Sequence, residues 1–98
     1  MSRTIIWSSA AEQDLTVILE YLNLKWNGNV AKSFLNILDK SIEQVSLNPQ
    51  LFPFFNKTLG IRKCVITKHN ILYYTENNSD ITLIRLYDAR QNPIKLTF

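Results

Sequence analysis

The sequence is poor in the residue types that build metal sites, disulfides and catalytic dyads. It has one cysteine, Cys64, and one histidine, His69, among its 98 residues. A lone cysteine excludes an internal disulfide. One histidine and one cysteine also fall short of the ligand set of a zinc site. We therefore expect no metal and no cofactor, and we expect Cys64 to be a small buried hydrophobe in a strand.

Long apolar runs are missing as well. No stretch reaches the roughly 18 apolar residues of a membrane-spanning helix, and the first residues lack the apolar segment of a signal peptide. The chain has 46% hydrophobic and 19% charged residues, which is ordinary for a globular protein. These properties predict one domain over residues 1–98, in the cytoplasm and without membrane contact.

With two glycines and three prolines in the chain, each chain-breaking residue is informative. Residues 9–12 read Ser-Ala-Ala-Glu, which fits a capping box at a helix start. Gly28 suits the left-handed residue that follows a helix, and Asn29 can cap a second helix. Pro49 ends that helix, because a proline disfavours helical geometry in the residue before it. The short link between the two helices predicts a helical hairpin.

Apolar residues recur at helical spacing in both predicted helices. The two stripes are Ala11, Leu15, Ile18, Leu19, Leu22 and Trp26 in the first helix, and Val30, Phe34, Ile37, Leu38, Ile42 and Val45 in the second. We expect them to be buried against each other and against a sheet.

The remaining segments predict strands, because Val, Ile, Thr and Tyr are enriched in them. The first strand is expected over residues 3–7. Three more are expected over residues 61–68, 71–76 and 81–88, with turns at 69–70 and 77–80. The fold class is therefore α+β, in the order β-α-α-β-β-β, with the helices on one face of a mainly antiparallel four-stranded sheet. Residues 49–57 are expected to be a loop packed under the sheet edge.

The sheet half is basic and has two apolar faces. Residues 56–98 contain seven Lys and Arg residues against three Asp and Glu, whereas residues 1–55 contain four against five. Alternation along the last strand places Thr82, Ile84, Leu86 and Asp88 on one face and Ile81, Leu83, Arg85 and Tyr87 on the other. A helical hairpin covers one face only. The second face is either a surface for a partner or is covered by the loop 49–57 and the C-terminal tail.

Several ordered motifs resemble the RelE/ParE superfamily of bacterial toxins. They are Trp7-Ser-x-x-Ala11-x-x-Asp14-Leu15-x-x-Ile18-x-x-Tyr21-Leu22, Pro49-x-x-Phe52-Pro53, Gly60-Ile-Arg62-Lys-x-Val65, Tyr73-Tyr74 and Asp88-Ala-Arg90-Gln91-Asn92-Pro93. The helical half is more similar to the ParE branch. The resemblance spans nearly the whole chain.

This resemblance implies the toxin of a type II toxin–antitoxin system, neutralised by a cognate antitoxin in a toxin–antitoxin hetero-oligomer. ParE-like members inhibit growth by binding DNA gyrase, without a catalytic site of their own. RelE-like members instead act as ribosome-dependent mRNA endonucleases. A third possibility is an antitoxin-binding or regulatory module without toxicity. The resemblance leaves gyrase and ribosome open as targets.

If the chain cleaves RNA, it must bind phosphate and move protons. Candidates for phosphate or target binding are Arg62, Lys63, Arg85 and Arg90, and candidates for catalysis are His69, Lys68, Tyr87 and Arg90. The histidine is expected in a turn, and Tyr87 is expected beside Arg85. No glutamate lies next to His69 in sequence to raise its basicity, so the sequence favours binding over chemistry.

Overall fold

The computed structural model describes residues 3–90. Its elements are β1 (Thr4–Trp7), α1 (Ser9–Lys25), α2 (Gly28–Leu47), a 3-10 turn (Pro49–Leu51), β2 (Phe54–Asn56), β3 (Ile61–Thr67), β4 (Asn70–Glu76) and β5 (Asp80–Asp88). The predicted α+β fold, with a strand, a helical hairpin and then further strands, is confirmed. The sheet has five strands rather than the predicted four. The C-terminal tail beyond Arg90, one of the two segments that the sequence offers as a cover for the second face of the sheet, lies outside the described residues.

The strand order in the sheet is β1-β5-β4-β3-β2. β1 pairs in parallel with β5, and the other neighbours are antiparallel. The extra strand, β2, comes from the segment predicted as a packed loop, and that prediction was wrong in part. Phe52 packs against the core, but Leu51 is 77% exposed. A three-residue strand after a proline is too short to show an alternation in sequence.

Both helix caps lie beside the residues predicted for them. Ser8, not Ser9, caps α1, and its hydroxyl accepts a hydrogen bond from the Ala11 amide at 3.0 Å. Asn27, not Asn29, caps α2 through its side-chain oxygen. Gly28 is therefore the first residue of α2 and not a left-handed residue after α1. The link between the two helices is therefore two residues, Trp26 and Asn27.

The core lies between the helical hairpin and one face of the sheet. Leu38 of α2 is 1% exposed, and Ile18 and Leu22 of α1 are buried beside it. The predicted stripes are confirmed except at their margins: Ile37 is 43% exposed and Trp26 is 62% exposed. The apolar stripe of a helix spans about 100° of its circumference, and residues at the edges of this stripe are partly exposed.

A β-bulge in β5 changes the predicted alternation. Leu83 pairs with Tyr74 and Arg85 with Tyr73, so Ile84 is an extra residue in β5. One inserted residue shifts every later side chain to the opposite face. As a result Leu83 and Leu86 are both buried, although simple alternation placed them on different faces.

The two glycines give a matched prediction about backbone conformation. Gly60 has a φ of +70°, whereas Gly28 is helical, and a Cβ would meet no atom within 4 Å at either position. Gly60→Ala should therefore lower the unfolding free energy by about 1 kcal/mol. Gly28→Ala should raise it by about 0.5–1 kcal/mol. Urea unfolding of both variants checks this, and a stabilised Gly60→Ala variant would contradict the turn geometry.

No helix within residues 3–90 has the length and apolar character to cross a lipid bilayer.

Candidate functional site

The face of the sheet turned away from the helices carries a mixed aromatic, aliphatic and basic surface. Two rows of paired residues form it: Lys63, Tyr73 and Arg85 lie side by side, and Val65, Ile71 and Tyr87 form the next row. Cross-strand partners share one face of a sheet. We call these six residues, with Phe55, the open face.

The open face is covered in part. Phe55 packs edge-on against Tyr73 with ring centroids 4.8 Å apart. Burial, and then the charge of the neighbouring Tyr87, raise the pKa of Tyr73. Val65, however, is 63% exposed. The open face is therefore covered at Tyr73, which is 4% exposed, and lies in solvent at Val65. Phe55 and Tyr73 had not been nominated from sequence.

Arg85 is held by a carboxylate that lies 71 residues away in sequence. β1 pairs with β5 only as far as Leu83. Beyond that residue, the side chain of Asp14 in α1 contacts β5. Its carboxylate accepts two hydrogen bonds from the Arg85 guanidinium, at 2.8 and 2.9 Å, and one from the Leu86 amide at 2.9 Å. The hydrogen bond with Asp14 raises the pKa of Arg85. The sequence signal for this contact is helical spacing. Asp14 lies three positions after the buried Ala11, so both residues are on the same side of α1.

Arg62 is also committed to the fold. Its guanidinium donates to the Phe52 carbonyl at 2.7 Å, lies 3.6 Å from the Glu76 carboxylate, and stands 3.9 Å from the centre of the Phe54 ring. These contacts fix β2 and the 3-10 segment to the sheet. Lys63, the next residue, carries its charge on the open face.

Arg90 makes a bidentate pair with Asp88. The distances from its Nε and Nη2 to the two carboxylate oxygens are 3.1 and 2.9 Å, and its backbone amide donates to the same carboxylate at 2.9 Å. The guanidinium also lies 5.2 Å from the centre of the Tyr21 ring. Arg90, a candidate from the sequence for phosphate binding and catalysis, is therefore ion-paired with a carboxylate two residues away.

The fold brings three of the four catalytic candidates to one groove. Lys68 and His69 form the turn between β3 and β4, and Arg90 follows β5 beside them. Within residues 3–90 the His69 imidazole makes no hydrogen bond and no ion pair, although its backbone bonds Thr67 and Ala89. Tyr87, the fourth candidate, lies on the open face instead.

Residues 3–90 contain no group of three His, Cys, Asp or Glu side chains placed to hold an ion. Cys64 is buried in β3, and burial raises the pKa of its thiol to about 11. A thiol that stays protonated at neutral pH is a poor nucleophile and a poor ligand.

The Asp88–Arg90 pair predicts a pH dependence of stability. Burial raises the pKa of Asp88, but hydrogen bonds from the Arg90 side chain and backbone, its positive charge and Asn70 outweigh this and lower the pKa. A carboxyl whose folded-state pKa is lowered stabilises the fold above its unfolded pKa of about 3.9. That stability is lost as the pH falls through the folded pKa.

Asp88→Asn should therefore lower the unfolding free energy by about 1–3 kcal/mol at pH 7. The difference from the wild type should shrink as the pH falls below about 4. Urea unfolding from pH 2 to 7 measures it, with Asp39→Asn at an exposed position of α2 as control. A deficit that stays constant with pH would contradict the lowered pKa.

The chain matches a family of toxins of type II toxin–antitoxin systems. The family model described as ParE toxin of type II toxin-antitoxin system, parDE, matches residues 5–93, and the chain belongs to this family. A comparison with curated protein sequences gives no match.

Solved structures share the fold. A chain of the chromosomal ParDE system from P. aeruginosa has a TM-score of 0.67 and 15% identity, covering 89% of this chain and 96% of its own. A chain of the E. coli DinJ-YafQ toxin-antitoxin complex has a TM-score of 0.65 and 14% identity, covering 92% and 96%. HP0894 from Helicobacter pylori has a TM-score of 0.58 and 20% identity, covering 92% and 97%. At these identities the likeness shows the fold alone.

Proposed function

We propose that this chain is a growth-inhibiting toxin that acts in the cytoplasm by binding a large target such as DNA gyrase, and that a cognate antitoxin neutralises it. The observation that supports binding over chemistry is the state of the three arginines. Arg62, Arg85 and Arg90 each contact a carboxylate inside the fold. A guanidinium that is already paired with a carboxylate gives less stabilisation to a phosphate in a transition state.

The open face is the surface we assign to the target. It combines aromatic and aliphatic side chains with Lys63, and such mixed patches are typical of interface centres. Val65 is 63% exposed, and removing its apolar surface from water would lower the free energy of a complex. An antitoxin segment laid on the same face would block the target directly, which accounts for neutralisation without any change in the toxin's shape.

The antitoxin segment should be acidic. The sheet half carries the excess of positive charge, and opposite charge accelerates the encounter of two proteins. A segment that folds only on binding can cover a large surface, with apolar burial offsetting its loss of conformational entropy. A complex in which the partner touches only the outer faces of α1 and α2 would contradict this assignment.

Ribosome-dependent mRNA cleavage is the second candidate function. Its support is the meeting of Lys68, His69 and Arg90 at one groove. A general base needs a partner or an environment that tunes its basicity. Within residues 3–90 the His69 ring makes no hydrogen bond and no ion pair with a carboxylate, which makes this function the weaker proposal.

Induced expression in a bacterial host separates the candidates. We expect growth arrest that co-expression of the cognate antitoxin relieves. Purified protein should inhibit supercoiling by DNA gyrase in vitro, and primer extension on cellular mRNA should show no new ends. Codon-specific mRNA ends would support the endonuclease. Absence of growth arrest would support a non-toxic regulatory module.

A further inference from the structure

A groove lies where the helical hairpin meets the turn between β3 and β4. It has a volume of about 260 Å³. Its walls are apolar and come from Leu22 of α1 and from Val30, Phe34 and Ile37 of α2. This volume is below the roughly 300 Å³ at which pockets for drug-sized ligands begin. The groove therefore suits one or two anchoring side chains better than a metabolite.

The rim of the groove is basic, but its charge is small. Arg90 has its Nε and one Nη engaged by Asp88, so this pair is close to neutral as a unit. Lys68 is exposed and forms no ion pair within residues 3–90. No Asp or Glu is among the described residues that line the groove. The site thus offers one unmatched positive charge beside apolar walls.

That combination distinguishes between ligand classes. A nucleic-acid strand is held by neutralising several phosphates, which takes several free cations. One lysine next to an apolar cleft instead matches one carboxylate next to an apolar side chain. A protein segment with a Leu, Ile or Phe close to an Asp or Glu has this chemistry.

The groove also adjoins the open face. Thr67 and Asn70, which flank the turn, line the groove. Ile71, the residue after Asn70, belongs to the open face and pairs with Val65 and Tyr87. An extended segment bound on the open face needs only a few residues to pass around this turn, at about 3.3 Å per residue.

We propose that the groove binds a second stretch of the antitoxin, an apolar side chain near a carboxylate, in continuation of the segment on the open face. This inference rests on the proposed toxin–antitoxin function for the identity of its occupant. In this proposal Lys68 and Arg90 contact a protein and not a nucleic acid. The apolar residues that line the groove bind the anchoring side chain.

A small probe tests the groove without an antitoxin. Amide shifts of the isotope-labelled full chain are followed by NMR during titration with N-acetyl-L-leucine, N-acetyl-L-leucinamide and the RNA trinucleotide tri-uridylate. We expect the acid to shift the amides of Ser33 and His69, and the neutral amide to bind more weakly. Shifts of the same amides by tri-uridylate, with none by the acid, would overturn the proposal in favour of an RNA site.

Matched variants test the occupant. Ser33→Trp fills the groove from an exposed helical position, and Lys68→Glu reverses the charge at its rim. Each should weaken the binding of purified antitoxin roughly 10-fold or more. Lys57→Glu, at the opposite end of β3, makes the same charge change and should alter affinity by less than about 3-fold. Wild-type affinity in both groove variants would overturn the proposal.

The two arms also separate this inference from the proposed function. If the wild type binds an antitoxin and both Ser33→Trp and Lys68→Glu bind it with wild-type affinity, the proposed function stands and the groove proposal is wrong. If the chain arrests no growth and binds no antitoxin, the proposed function is wrong. Binding of N-acetyl-L-leucine at Ser33 and His69 would then still show an anchor site, for another acidic partner.

Discussion

Leu38→Ala is expected to lower the unfolding free energy by about 2–5 kcal/mol. Leu38 is in the middle of α2, is 1% exposed and belongs to the cluster between the hairpin and the sheet. Truncation removes apolar contacts and leaves a cavity, since neighbouring side chains close only part of the space. A domain of this size has roughly 5–15 kcal/mol of stability in total.

Ile37→Ala is the matched control, because Ile37 precedes Leu38 in the same helix and is 43% exposed. It should cost about 1 kcal/mol or less, since most of its side chain is not enclosed. Urea unfolding followed by circular dichroism measures both variants. Equal losses for the two substitutions would show that the register of α2 on the sheet is wrong.

The periodic features of the sequence predicted the fold well, because they are local. Helical spacing of apolar residues sets which side of α1 and α2 faces the sheet, and Leu38 lies at the centre of its stripe. The caps were displaced by one or two positions. Ser8 and Ser9 have the same side-chain chemistry, and only the extended backbone of Ser8 makes it the cap.

The site was harder to predict, because its chemistry depends on contacts between distant parts of the chain. Arg85 was nominated as a phosphate ligand, but Asp14 reaches it across the free edge of β5. The bulge at Ile84, which decides the face of each later side chain, depends on register and leaves no periodic trace. Charge counts locate a basic half but do not show which cations are already paired.

The pairing of the arginines changes how the mechanism should be tested. Neutralising Arg62 or Arg85 would release a carboxylate inside the fold and lower stability. Loss of toxicity in those variants would therefore report folding as much as function. Val65 and His69 are better positions, since Val65 is 63% exposed and the His69 ring makes no ion pair within residues 3–90.

Val65→Asp is expected to reduce toxicity and gyrase binding together, by roughly 30-fold or more. Val65 is exposed on the open face, and a carboxylate there would be buried without a partner in any complex that covers it. A cost of about 2 kcal/mol, typical of a hot-spot residue, corresponds to that factor. Leu51→Asp, on the exposed 3-10 turn, makes the same chemical change outside the open face and should leave both quantities within about 3-fold.

His69→Gln should leave toxicity and gyrase binding near wild type, because the His69 ring has no carboxylate partner in the described chain. If His69 were instead the general base of an mRNA endonuclease, the same substitution would lower cleavage by about 10²–10⁴-fold and leave target binding intact. If the toxin acts by binding, each substitution should change toxicity and target affinity together. If it acts by catalysis, one substitution can abolish toxicity and leave target affinity unchanged. Growth assays, gyrase affinity and primer extension on the three variants therefore decide between the mechanisms. Loss of toxicity in His69→Gln with unchanged affinity, together with wild-type toxicity in Val65→Asp, would replace the binding mechanism with RNA cleavage.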